Sequence, residues 1–127
     1  TAVYAADLAE RYQADAEYEP GTVLMFGGEF EVTLAEDDTI RVAGIVSTDP
    51  AYLMNKGLNG PNTVAIALQG RVPCRVVGTV RKGDMMVSAG NGFARAESNP
   101  TVGSVIGKSL ENFDGETGVI EVAVGRL

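Results

Sequence analysis

A chain of 127 residues with 45% hydrophobic and 21% charged side chains has the size and composition of one globular domain, and no apolar run nears the ~18 residues that would cross a membrane. With no histidine and one cysteine, imidazole metal sites, Ser-His-Asp catalysis, an internal disulfide and multi-cysteine clusters are excluded. The net charge of −7 is uneven: residues 1–50 hold eleven acids against Arg11 and Arg41, and 51–127 hold six acids against eight bases, so nucleic acid is not expected as a partner.

The chain opens on Thr1 and not on Met, which reads as a processed or excised piece. In residues 4–12, YAADLAERY, Ala5, Leu8, Ala9 and Tyr12 fall on one helical stripe. A short helix is expected there, or else an extended arm docking Leu8 and Tyr12 on the core, so residues 1–18 form an N-terminal piece ahead of a single β domain, 19–127. From Pro20 onward, brief aliphatic runs are separated by Gly, Asn and Asp: TVLMF, EFEVTL, IRVAGIVS, VAIALQ, VPCRVV, DMMVS, GFARAE, TVGSVIGKSL and GVIEVAVG. In EFEVTL, Phe30, Val32 and Leu34 alternate with polar residues, the period of a half-buried strand. These runs predict an all-β fold, a compact barrel or clip of eight to ten short strands. Pro73, within VPCRVV, places that strand at an edge or bulge.

Residues 49–57 break the pattern. Asp49 offers an N-cap, Pro50 the first helical position and Gly57 the C′ residue, so a short helix is expected in an insertion of about fifteen residues between two buried strands. The chain also resembles itself: Pro20-Gly21 and the run TVLMF parallel Lys82-Gly83 and the run DMMVS, and VAGI at Gly44 parallels VIGK at Gly107. A pseudo-two-fold repeat is predicted, neither half able to bury its apolar face alone. Positive-φ turns are the expected reason for Gly21, Gly44, Gly83 and Gly107.

Candidate chemistry is sparse. Glu36-Asp37-Asp38 lacks the alternating ligand spacing of a calcium loop and reads as a solvated hairpin tip. Gly90-Asn91-Gly92 lacks the ending of a phosphate loop and reads as a turn. Thr1, Ser47 and Ser88 are the nucleophiles that could work without histidine, though nothing in the sequence supplies a partner for any of them. Cys74 alternates with Val72 and Val76 as a small core residue. No cofactor or metal is expected. The acids of the first half could meet Arg71, Arg75, Arg81 and Lys82 of a neighbouring copy.

Taken in order, ADLAERYQAD, YEPGTVLMFGG, VAGIVSTDPAYLMN, VAIALQGRVPCRV, VRKGDMMVSAGNGFARA, VGSVIGKSLEN and GVIEVAVGR resemble the C-terminal domain of tail-fibre-like virion proteins of tailed, especially marine, bacteriophages. More distantly, Ser47, Pro50 and Ala51 match a segment of the autoproteolytic intramolecular-chaperone domains of phage neck appendages. The resemblance implies a homotrimeric module joined to an upstream fibre shaft in the virion, promoting trimerisation or attachment to a host-surface glycan or protein, with self-cleaving maturation as the alternative. It supplies no catalytic residues. On that expectation Tyr52, Leu53 and Met54 are assigned to subunit contact, and Asn91 and Phe93, at a turn presenting an aromatic ring, to ligand contact, the alternative being Phe93 as a core residue that begins the strand GFARAE.

Overall fold

The computed structural model describes residues 6–125. They form ten strands and no helix: β1 Asp7–Gln13, β2 Val23–Phe26, β3 Val32–Leu34, β4 Val42–Val46, β5 Tyr52–Met54, β6 Thr63–Val77, β7 Met85–Gly90, β8 Phe93–Ala96, β9 Gly107–Ser109 and β10 Thr117–Val124.

The organising element is β6. The runs VAIALQ and VPCRVV, expected as two strands, are one continuous 15-residue strand. Its first part pairs with β1 and β4, and its second with β10 and β8. Pairings β6–β8–β7–β9–β10–β6 close a five-stranded barrel. On the other side β6, β4, β2 and β3 follow in order, and a bridge between Ala14 and Val32 returns the chain to β1. A single strand thus ends one ring and begins the next.

The two halves carry matching backbone bonds. Gly21 N–H donates to Val46 and Gly83 N–H to Ser109, both at 2.8 Å; Val46 N–H donates to Thr22 and Ser109 N–H to Asp84, both at 2.9 Å. Ala35 N–H to Val23 is echoed by Glu97 N–H to Met85. Gly44 and Gly107 occupy equivalent places, and a Cβ on either would press on the carbonyl of Ala67 or Ala123 respectively. Gly44 also has a positive φ (145°), as do Gly21 (86°) and Gly83 (91°), but Gly107 does not. Gly107 requires close backbone approach and Gly44 lies inside β4, so neither is the turn that was expected.

Two apolar clusters fill the rings. Ala14, Leu24, Val32, Val46, Val64 and Ile66 form the core of the first. Val72, Cys74, Val76, Val80, Met86, Ile106, Ile120 and Val122 belong to the core of the second, and Val23, Ile45 and Ala67 of the first half pack into it. Adjacent residues of β2 and β4 therefore bury both faces, Leu24 and Val46 inward and Val23 and Ile45 toward the other ring, which is how each half covers the other's apolar surface.

Three local expectations are corrected. The stripe expected as a helix over 4–12 is strand from Asp7, because β6 offers an edge whose pairing outweighs the propensity of a short helix; Tyr4 and Ala5 lie outside the described residues. The helix expected over 49–57 is absent, and Tyr52–Met54 form β5, parallel to β1. The capping signals were real as local chemistry, but one or two helical turns cannot compete with an adjacent free strand edge. Pro73 sits inside a central strand, not at a sheet edge. The N–H of Arg75, two residues on, points to the Gly21 carbonyl at 3.0 Å, so the nitrogen of Pro73 faces the same flank, in the gap between the pairings with β1 and β8 where no ladder bond is lost.

Candidate functional site

The residues assigned to subunit contact lie together on an edge. Among the described residues β5 pairs only with β1, Leu8 opposite Tyr52, Ala9 opposite Leu53 and Glu10 opposite Met54. Tyr52 is 75% exposed and Met54 42%, whereas Leu53, beside the fully buried Ala9, is half-buried. The strand is pinned from both ends. Ala51 N–H donates to the Asp7 carbonyl at 2.9 Å, and Asn55, at φ 58°, donates its side-chain amide to the Arg11 carbonyl. The Arg11 guanidinium in turn donates to the carbonyls of Lys56 and Leu58, each at 3.3 Å. A short apolar strand, with one edge unpaired among the described residues, is thereby tethered at the surface. Phe26 (44% exposed), whose ring meets Tyr12 edge-on at 5.5 Å, adds apolar surface on β2 of the same half.

Asn91 and Phe93 are placed elsewhere. Asn91 is exposed at the tip of the β7–β8 hairpin with φ 54°. The tip is packed: Val23 N–H donates to the Gly92 carbonyl, and a Cβ at Gly92 would strike Thr22. Phe93 begins β8, half-buried beneath the Arg75 guanidinium, which stacks 4.4 Å from the ring centroid. Arg75 is therefore engaged within its own chain. So are Arg71, paired with Glu121 at 3.3 Å, and Arg81, paired with Asp114 at 2.8 Å.

Beside β5 lies a polar feature that sequence reasoning saw only as an isolated serine. Asp7 and Ser47 are 6% and 7% exposed. Asp7 Oδ2 is buried without a hydrogen-bond partner among the described residues. Burial raises the Asp7 carboxyl above its ordinary value; the Ser47 hydroxyl opposes that shift and the nearby Asp49 charge adds to it. Nothing in the sequence signals this pairing, because Asp7 and Ser47 meet only through the β1–β6–β4 order.

The remaining nucleophiles are structural or undescribed. Ser88 is fully buried and its hydroxyl accepts from Gly90 N–H at 3.2 Å. Burial pushes the Cys74 thiol up to about 12, which leaves it a core residue without reactivity. Thr1 lies outside the described residues. In the acidic run, Asp37 pairs with Arg95 at 3.2 Å, and no group of three or more acidic or cysteine side chains among the described residues could hold a metal ion.

No protein family and no curated protein matches the chain. Solved structures do. The pre-mature gene product 12 of bacteriophage phi29 is similar over 98% of this chain, with a TM-score of 0.70 and 13% identity, and the chain spans 22% of that protein's length. A C-terminal fragment of the same phi29 gene product 12 is similar over 93% of this chain and 99% of its own, with a TM-score of 0.68 and 14% identity. The head fiber gp8.5 N base of phi29 is similar over 93% of each chain, with a TM-score of 0.57 and 17% identity. The shared property is the fold, across nearly the whole of this chain.

Proposed function

We propose that this chain is a structural module of a phage fibre, located in the virion, which assembles with copies of itself through the β5 edge and takes part in host attachment. The observation that carries the reading is a fold shared over more than nine-tenths of the chain with components of phi29, one of them a head fiber base. The fold occurs there both in a C-terminal fragment and in a head fiber N base, so similarity alone assigns no end of the fibre to this chain. Support for self-association comes from Tyr52, Leu53 and Met54, apolar residues on a strand edge that is unpaired among the described residues. A homotrimer is the expected state, and the upstream fibre shaft the expected second partner. Light scattering on the purified chain tests it: Tyr52→Ser with Leu53→Ser should shift the trimer toward monomer while the circular dichroism stays that of a β protein. A wild-type monomer at tens of micromolar would remove self-assembly from the reading.

Catalysis is not part of that proposal. One observation favours a second reading, self-cleaving maturation: a buried carboxyl, one oxygen of which has no hydrogen-bond partner among the described residues, lies beside the Ser47 hydroxyl. Intact mass of the chain carrying its upstream residues, compared with Ser47→Ala and Asp7→Asn, separates the two. Cleavage lost in both variants would establish the second reading, and an uncut wild-type chain would dismiss it.

A further inference from the structure

The two halves are built alike, yet they differ at one point. In the second half Val76 stands opposite Gly118, and in the first the equivalent Ala14 N–H donates to the Asn62 carbonyl at 2.9 Å. Thr22 N–H donates to Glu19 as Asp84 N–H does to Arg81, which makes Tyr18 the counterpart of Val80. Around Val80 the second half is closed. Phe113 bridges it through two backbone bonds of 2.8 and 2.9 Å and packs on the core, its ring lying directly over Gly118, where any Cβ would collide with it.

In the first half no residue of the matching connection bridges Tyr18 in this way; the Tyr18 ring itself packs on the first core. That connection, residues 48–62, runs out to form β5, and Asn62 stands where the other half has Gly118. What remains is an open cleft of about 680 Å³, lined by Glu17, Tyr18, Glu19, Asn62, Thr63 and Val64. Tyr18 donates its hydroxyl to Asp15 Oδ1 at 2.5 Å, and Asp15 also accepts from Thr33 at 2.6 Å, so the ring is held in place. The side chains of Glu17, Glu19, Asn62 and Thr63 make no hydrogen bond or ion pair to other described residues. A fixed aromatic ring, an apolar floor at Val64 and four uncommitted polar groups suit a ring that is apolar on its faces and hydroxylated at its rim. Two carboxylates in the acidic half of the chain repel anions.

We propose that this cleft binds a neutral sugar ring, stacked on Tyr18 and held at its hydroxyls by Glu17, Glu19, Asn62 and Thr63. The inference rests on the fibre-module reading for the source of that sugar, a host-surface glycan, and it moves ligand contact away from the packed turn at Phe93. The test is an amide chemical-shift titration of the whole chain with methyl glucoside, methyl galactoside and N-acetylglucosamine, with glucuronate as the anionic control. At least one neutral sugar should shift the signals of Tyr18, Asn62 and Thr63, and glucuronate should not. Asn62→Gly installs the residue that the second half carries there, at a backbone φ of 61° that glycine accepts without strain. It should weaken binding about tenfold or more, as should Glu17→Gln with Glu19→Gln, both exposed positions. No shift at the cleft with any of the three sugars, equal shifts with glucuronate, or affinity unchanged in both variants overturns the proposal. Sugar binding and oligomeric state are read separately, by the titration and by light scattering. A trimer that binds no sugar therefore refutes this inference alone, and a sugar-binding monomer refutes assembly alone.

Discussion

Gly83 and Gly107 are required for different reasons, and substitution separates them. Gly83 has φ 91° with nothing within 4 Å of a would-be Cβ, so Gly83→Ala carries only backbone strain, about 1 kcal/mol. Gly107 lies outside the left-handed region but abuts the Ala123 carbonyl. Gly107→Ala must separate β9 from β10, and about 2–3 kcal/mol or more is expected from overpacking. Urea unfolding should show that order; equal losses would mean the backbone contact relaxes freely. Asp7 supplies a second residue-scale prediction. Its carboxyl is raised above the ordinary 3.8 by burial, so the folded chain holds the proton more tightly than the unfolded one. Below pH 3.8 no penalty exists; as pH climbs through the raised value stability falls, and above it the full penalty of a buried charge is present. Asp7→Asn should therefore stabilise the chain at neutral pH, on the order of 1 kcal/mol, and change little near pH 3. Equal effects at both pH values would show that the carboxyl does not titrate in its buried place.

At the scale of elements, β5 is the least secured strand, with three residues and a single partner. Its attachment depends on Arg11, whose guanidinium gathers the carbonyls of Lys56 and Leu58 and the Asn59 side chain. Arg11→Ala should speed amide exchange in the 52–59 segment at least several-fold while global stability falls by no more than about 1 kcal/mol, because these bonds are exposed or only half-buried. Exchange that accelerates throughout β6 as well would mean that Arg11 secures the barrel and not the loop. The contrast with the second half is instructive: there the matching connection is short, and Phe113 folds down on Val80. Lengthening one connection freed an edge and opened a cleft.

For the whole molecule, β6 links the two rings covalently and Val23, Ile45 and Ala67 link their cores. Arg95 adds an ion pair to Asp37 across the halves and another to Glu97. One cooperative unfolding transition is expected. All four tyrosines, Tyr4, Tyr12, Tyr18 and Tyr52, lie in the first half. Tyrosine fluorescence thus follows that half alone, and far-ultraviolet circular dichroism follows both. The two melting curves should coincide; an earlier tyrosine transition would mean the halves are separable domains.

The all-β class was legible from period-two alternation in EFEVTL and from the Gly and Asn turns, because these reflect local backbone preferences that any context keeps. The likeness of the halves was legible at Gly21 and Gly83, where both the conformation and the bonding recur. The apolar residues 52–54 could be picked out as a candidate contact, but their conformation could not. A helix-capping pattern decides the structure only if no free strand edge is nearby, and β1 supplied one across more than forty residues of chain. The same holds for Asp7 beside Ser47 and for the cleft at Tyr18. Both arise where segments distant in sequence are brought together by the strand order, so only the tertiary structure decided which polar groups were buried, which were left free, and which connection left a cleft open.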